Sequence, residues 1–325
     1  MGNLRIALAL VSVVTIALSS AQAKSLDFPS SEWGISFGNS QRFNGLRFNY
    51  RDHDVEEING VNVTLWKGYR PQTSVIRGVS FGVLPSGGRL VGLNLGLLGA
   101  GAEQDLHGLS LGLLGAGAGG NIHGITVGAL GCGAGGNVRG LALGGLGAGA
   151  GGNVTGIVMG WLGCGAGGNV TGCSLGLLGC GAGGNVSGIT LGGLGCGAGG
   201  NLKGIALGGL GAGAGGNVTG IVVGGLGCGA GGSVTGVTVA GLGCGAGGDF
   251  TGGALALGTV QTSEESRFTG LSVSAFNRHR GHQSGLALGI VNLAETLYGV
   301  QIGLVNIVQS REDWSKVLPL VNAGF

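Results

Sequence analysis

Between Leu106 and Asp249 the apolar positions follow a ruler of sixteen residues, which runs without a slip through nine consecutive units. "VTGIVMGWLGCGAGGN" fills 154–169 and "VSGITLGGLGCGAGGN" fills 186–201. With each unit numbered from 1 to 16, starting at Val154, position 1 is apolar and position 3 is Gly. Position 4 is usually Ile, Leu or Val, and position 6 is Leu, Val or Met. Position 9 is always Leu, position 11 is Ala or Cys, and position 13 is always Ala. Positions 4 and 6 are spaced like one face of a strand, and so are 9, 11 and 13. The spacing predicts two short strands per unit, with Leu194, Cys196 and Ala198 turned inward and position 5 on the surface. Gly at 3, at 14–15 and at 7 (Ala240 excepted) allows sharp turns, and the Asn usual at 16 tolerates left-handed geometry.

Helix is a poor alternative, because each interior Gly costs about 1 kcal/mol against Ala. The pattern predicts an all-β chain, a β-solenoid in which each unit is one rung and rungs stack at about 4.8 Å. Positions 10 and 12 are Gly in every unit, which predicts one bare outer face. An outer-membrane β-barrel is the alternative, favoured by the terminal Phe325 and the scarcity of charge. Against it, a spanning strand needs about 9–11 residues, and a sixteen-residue hairpin leaves about six.

A weaker marker, Gly-apolar-any-apolar, extends the pattern to "GLRF" at 45, "GVNV" at 60, "GVSF" at 78 and "GLNL" at 92. It returns as "GLSV" at 270, "GLAL" at 285 and "GVQI" at 299, giving about 17 turns in all. The start combines a short basic segment, an apolar run over 6–18 and "AQA" at 21–23, the pattern of an export signal. The expected organisation is a signal peptide over 1–23, an N-terminal cap with irregular rungs over 24–105, regular repeats over 106–249, and irregular rungs with a C-terminal cap over 250–325.

Composition sharpens this picture. Gly supplies 82 of 325 residues, yet 43% are hydrophobic and four are Pro, which excludes collagen and a disordered linker. Between Leu106 and Gly252 the charged residues are Arg139, Lys203 and Asp249 alone. A net charge of +2 gives no basic face for nucleic acid. The expected partners are a second copy through the Gly-rich face, or a membrane or envelope surface.

No residue set rises to a catalytic, cofactor-binding or metal site. "GGLGCGAGGN" has Gly enough for a phosphate loop but not the Lys followed by Ser or Thr. "GVSFG", "GLSLG" and "GCSLG" match the nucleophile elbow, but Ser80, Ser110 and Ser174 occupy position 5, where Ala142 and Val158 also stand. Six of the seven Cys (Cys132, Cys164, Cys180, Cys196, Cys228 and Cys244) share position 11 with Ala, which favours free buried thiols. His107 and His123 stack at position 2 but are two ligands where a metal usually takes three or four. "NRHRGH" at 277–282 reads as a small basic loop open to an anion. The sequons at Asn153, Asn169, Asn185 and Asn217 follow from turn Asn preceding a position-2 Thr or Ser.

The apparent export signal, "GLRFNYRDHDVEEINGVNVTLW", the repeated "GGLGCGAGGN" and the closing "LYGVQIGLVNI…VLPLVNAGF" together resemble a family of exported bacterial surface-repeat proteins. The resemblance implies an envelope location in a Gram-negative-type cell. It implies no reaction, so the expected function is a non-catalytic surface or structural protein serving as an adhesion module or scaffold. An outer-membrane barrel or pore is the alternative.

Overall fold

A computed structural model describes residues 25–69 and 73–325. The export segment expected over 1–23 lies outside them. The described chain is all-β, a solenoid of about 16 turns, and it holds no α-helix.

Each regular rung is built from two strands. In the rung 154–169, Val154–Gly160 covers positions 1 to 7 and Gly163–Ala166 covers positions 10 to 13. Every strand pairs in parallel with its counterpart sixteen residues on, Val154 opposite Val170 and Cys164 opposite Cys180. That pairing makes two sheets back to back. A barrel would need its sheet to close on itself, so the barrel alternative falls on topology. Among the described residues the interior is filled by buried side chains.

The direction of the first strand corrects the sequence expectation. Odd positions point inward and even positions point outward. Ala142, Val158, Ser174 and Thr190, all at position 5, are completely buried. Ile157 and Met159 at positions 4 and 6 face out, and so does Leu194 at position 9, which is 49% exposed. Cys196 and Ala198 do point inward, as expected.

The reason is space. A Cβ added at Gly160, position 7, would lie 2.1 Å from the carbonyl oxygen of Gly163, because the two sheets nearly touch there. Position 5, next to that gap, holds only Ala, Ser, Thr or Val in the nine units, whereas position 1, farther from it, buries Leu106, Ile122 and Leu202. The three elbow serines are therefore interior: Ser174 Oγ lies 3.3 Å from Thr190 Oγ1, and Ser110 accepts from Asn94 Nδ2 at 3.2 Å.

Two devices hold successive rungs in register. Position 3 has φ between +106° and +136° in the nine units, a region open to Gly, and a Cβ there would meet the carbonyl of the rung before. The second device is an Asn ladder through the turns. The Oδ1 of Asn153 accepts from both the backbone N (2.8 Å) and the Nδ2 (3.1 Å) of Asn169, and the motif repeats along the rod. Asp105 begins the ladder by accepting from Asn121 N at 2.9 Å. That backbone bond is the main reason its carboxyl sits below the usual carboxylate range.

Both ends close with antiparallel pairs. Leu26–Pro29 pairs with Trp33–Phe37, and Val317–Gly324 pairs with Val291–Val308. The end rungs fill their interior with polar groups. Buried Arg47 donates to Asp52, to Asn62 Oδ1 (2.7 Å) and to Ser40 Oγ (3.1 Å). At the other end Asn277, Asn292 and Asn306 replace the Ala/Cys column and link by bonds of 2.7 Å.

Candidate functional surface

The outward surface of the regular rungs has two unlike faces. On the first sheet, position 2 is polar while positions 4 and 6 carry Ile, Leu, Val and Met, with Cys173 the one exception. At the corner beyond it, position 8 is variable and position 9 is exposed Leu. On the second sheet, positions 10 and 12 are Gly throughout.

Between columns 6 and 8 runs a groove of about 1020 Å³, floored by the position 7 glycines and extending from Val127 to Gly225. Its walls are Leu143, Met159, Leu175, Leu191 and Leu207 on one side, with Trp161 and Leu177 rising on the other. Trp161 is 70% exposed. No ionisable side chain lines the groove. A groove of this kind holds apolar matter and offers no group for acid, base or nucleophilic work. The sequence did not reveal it because column 6, which walls the groove, was expected to be core.

The rings of His107 and His123 stack 4.7 Å apart at an angle of 8°. Burial, with the neighbouring His107 and Arg139, pushes His123 below the usual imidazole range. No group of three His, Cys, Asp or Glu residues able to hold a metal occurs among the described residues.

The segment 277–282 is not a loop but part of the strand Phe276–Leu288. Asn277 and His279 point into the core, so the basic cluster is divided between inside and outside. His279 stacks on Phe268 at 4.1 Å, and burial lowers its pKa to about 3. In the sequons the Nδ2 of Asn169 is committed to the ladder, donating to Asn153 Oδ1 at 3.1 Å.

The cysteine column needs a correction. Cys164 and Cys180 form a disulfide, with Cα atoms 4.8 Å apart, rather than two free thiols. The interchange of Cys with Ala pointed to free thiols, but the rung spacing itself lies inside the disulfide range of about 4.4–6.8 Å. Cys132, Cys173, Cys196, Cys228 and Cys244 are free. Burial pushes Cys132 and Cys196 up to about 11, so at neutral pH they are thiols rather than nucleophilic thiolates. The sulfurs of Cys228 and Cys244 lie 2.9 Å apart.

Comparison of the chain with protein-family models, with curated proteins and with solved structures gives no match in any of the three.

Proposed function

We propose that this chain is a non-catalytic structural repeat protein, exported to the bacterial envelope and serving there as a surface scaffold or adhesion rod. One observation carries the reading: the outward surface of the central rod is almost without charge, while charge gathers at the two ends. Arg139, Lys203 and Asp249 are the charged residues between Leu106 and Gly252. A rod standing free in water usually carries about 25–35% charged residues on its surface. Exposed apolar columns of this length mark a surface meant to be covered. The export-like start and the resemblance to surface-repeat proteins support the envelope as the place.

The test is fractionation of the native host, followed by attachment assays on a strain lacking the gene. Recovery with the envelope and loss of attachment are expected. Recovery in the cytoplasm, or loss of an enzymatic activity on deletion, would overturn the proposal.

A further inference from the structure

The groove has a self-complementary outline. With the units 106–121 to 234–249 numbered as rungs 1 to 9, position 8 is Leu113 on rung 1, Ala129 on rung 2 and Gly145 on rung 3. It swells to Trp161 and Leu177 on rungs 4 and 5. It is then bare, as Gly193, Gly209, Gly225 and Gly241, and ends in Leu257 on the next rung. Trp161, Leu177 and Leu257 all stand well out of the surface.

We propose that the apolar face is covered by a second copy of this chain, lying antiparallel about a two-fold axis through rung 6. An axis along the strand direction keeps each column opposite itself and reverses the rungs, so rung 4 faces rung 8 and rung 5 faces rung 7. Trp161 then enters the space over Gly225 of the second copy, and Leu177 the space over Gly209. Leu257 faces Ala129, and Gly193 faces its own equivalent. The same contacts occur twice, as an isologous interface requires.

Charge agrees with this register. Arg139 faces Thr235 and Lys203 faces Thr171, so no like charges meet. Sliding one rung toward the N-terminal end sets Leu113 against Leu257. Sliding two sets Leu177 against itself and Arg139 against Lys203. Sliding the other way shortens the overlap of regular rungs.

The area is also sufficient. Rungs 2 to 10 span eight steps of 4.8 Å, the Cα spacing of Cys164 and Cys180. Positions 2 to 7, all within the extended strand, give a width of roughly 17 Å, at about 3.3 Å per residue. The product is roughly 650 Å² per partner, or about 1,300 Å² in total, inside the range of stable protein interfaces.

The test uses protein purified from residue 24 onward, which retains every described residue, in detergent-free buffer. Sedimentation velocity over a concentration series is expected to show a two-copy species. Met159→Lys and Val223→Glu sit outward on rungs 4 and 8, and each alone is expected to weaken association at least tenfold. The double variant M159K/V223E brings the new charges together across the interface twice, and association returns. Leu191→Cys lies on the axis, so two copies join through a disulfide when glutathione disulfide takes up the two protons and two electrons. Leu143→Cys faces Val239 and does not join to itself.

Far-UV circular dichroism checks that the charged variants keep their strands; if they do not, the two cysteine variants decide alone. A wild-type protein that stays single at every concentration overturns the proposal, and its binding to phosphatidylcholine vesicles would assign the face to lipid instead. Equal crosslinking of L191C and L143C, or association untouched by M159K, overturns it as well.

Discussion

Two glycines seven residues apart are expected to respond to the same substitution with opposite sign. Gly188 stands at position 3 with φ +131°, and a Cβ there would lie 2.0 Å from the carbonyl oxygen of Gly172 in the preceding rung. Holding Ala in that backbone region costs about 1–3 kcal/mol. The 2.0 Å contact is with the backbone of Gly172, which cannot swing aside as a side chain would, so relief means lifting one rung from the next. Each inter-rung hydrogen bond stretched in that way is worth about 1 kcal/mol net. Gly188→Ala is therefore expected to destabilise by about 3 kcal/mol or more.

Gly195 stands at position 10 with its φ outside the left-handed region, and its nearest neighbour to an added Cβ is Gly211 O at 3.5 Å, an ordinary contact. Gly195→Ala restricts the unfolded chain without straining the folded one, which stabilises by about 0.4–1 kcal/mol. Guanidinium unfolding followed by far-UV circular dichroism measures both. Midpoints displaced in the same direction and by similar amounts would refute the assignment of position 3 as the backbone constraint.

Three further outcomes are expected. Alkylation of the unfolded protein without reductant should count five thiols, and seven after reduction, and removing the Cys164–Cys180 bridge by C164S should cost about 3 kcal/mol for its sixteen-residue span. Asn169→Ala removes the 2.7 Å bond from the backbone N of Asn185 at an exposed turn and should cost about 0.5–1.5 kcal/mol in thermal or denaturant melts; Asn169→Ser should cost less, since Ser233 plays that part by accepting from Asp249 N. His279 is buried neutral with its pKa lowered to about 3 from 6.5, so between those values the unfolded chain binds the extra proton. Stability should therefore fall by about 1.4 kcal/mol per pH unit as pH drops through that window, and H279Q should flatten the profile in pH-dependent melts.

Much of the architecture could be read from the sequence because the ruler of sixteen is a backbone property. The stacked Gly at position 3, the turn at 14–16 and the parallel pairing of equivalent residues all follow from it. What could not be read was which face of the first strand is inside. Apolarity argues for Ile157, Met159 and Leu194 in the core, but the sheets stand too close to admit them, and Val158 and Ser174 go in instead. That closeness is set at position 7, where a Cβ on Gly160 would meet Gly163 O three residues on and Ala148 N of the preceding rung; the pattern marks the Gly but not the neighbours it meets. The strand through 277–282 was hidden in the same way, since its inward Asn277 and His279 look like loop residues until Asn292 and Phe268 are placed beside them. Cys164 and Cys180 were legible as neighbours, and only their bonding was misjudged.

The Asn ladder has one more consequence. In each turn the Oδ1 serves only the rung above, and the Nδ2 is served only by the rung below. The pairing of position 3 glycines is equally local, so the backbone of a rung meets the same surroundings wherever it stands in the regular series. A gene that gains or loses forty-eight nucleotides in frame, three for each of sixteen residues, therefore changes the reach of the rod by one step of about 4.8 Å. The polar interiors of the two ends stay untouched. Length in this protein is an integer that recombination between near-identical units can reset, independently of whatever its ends recognise.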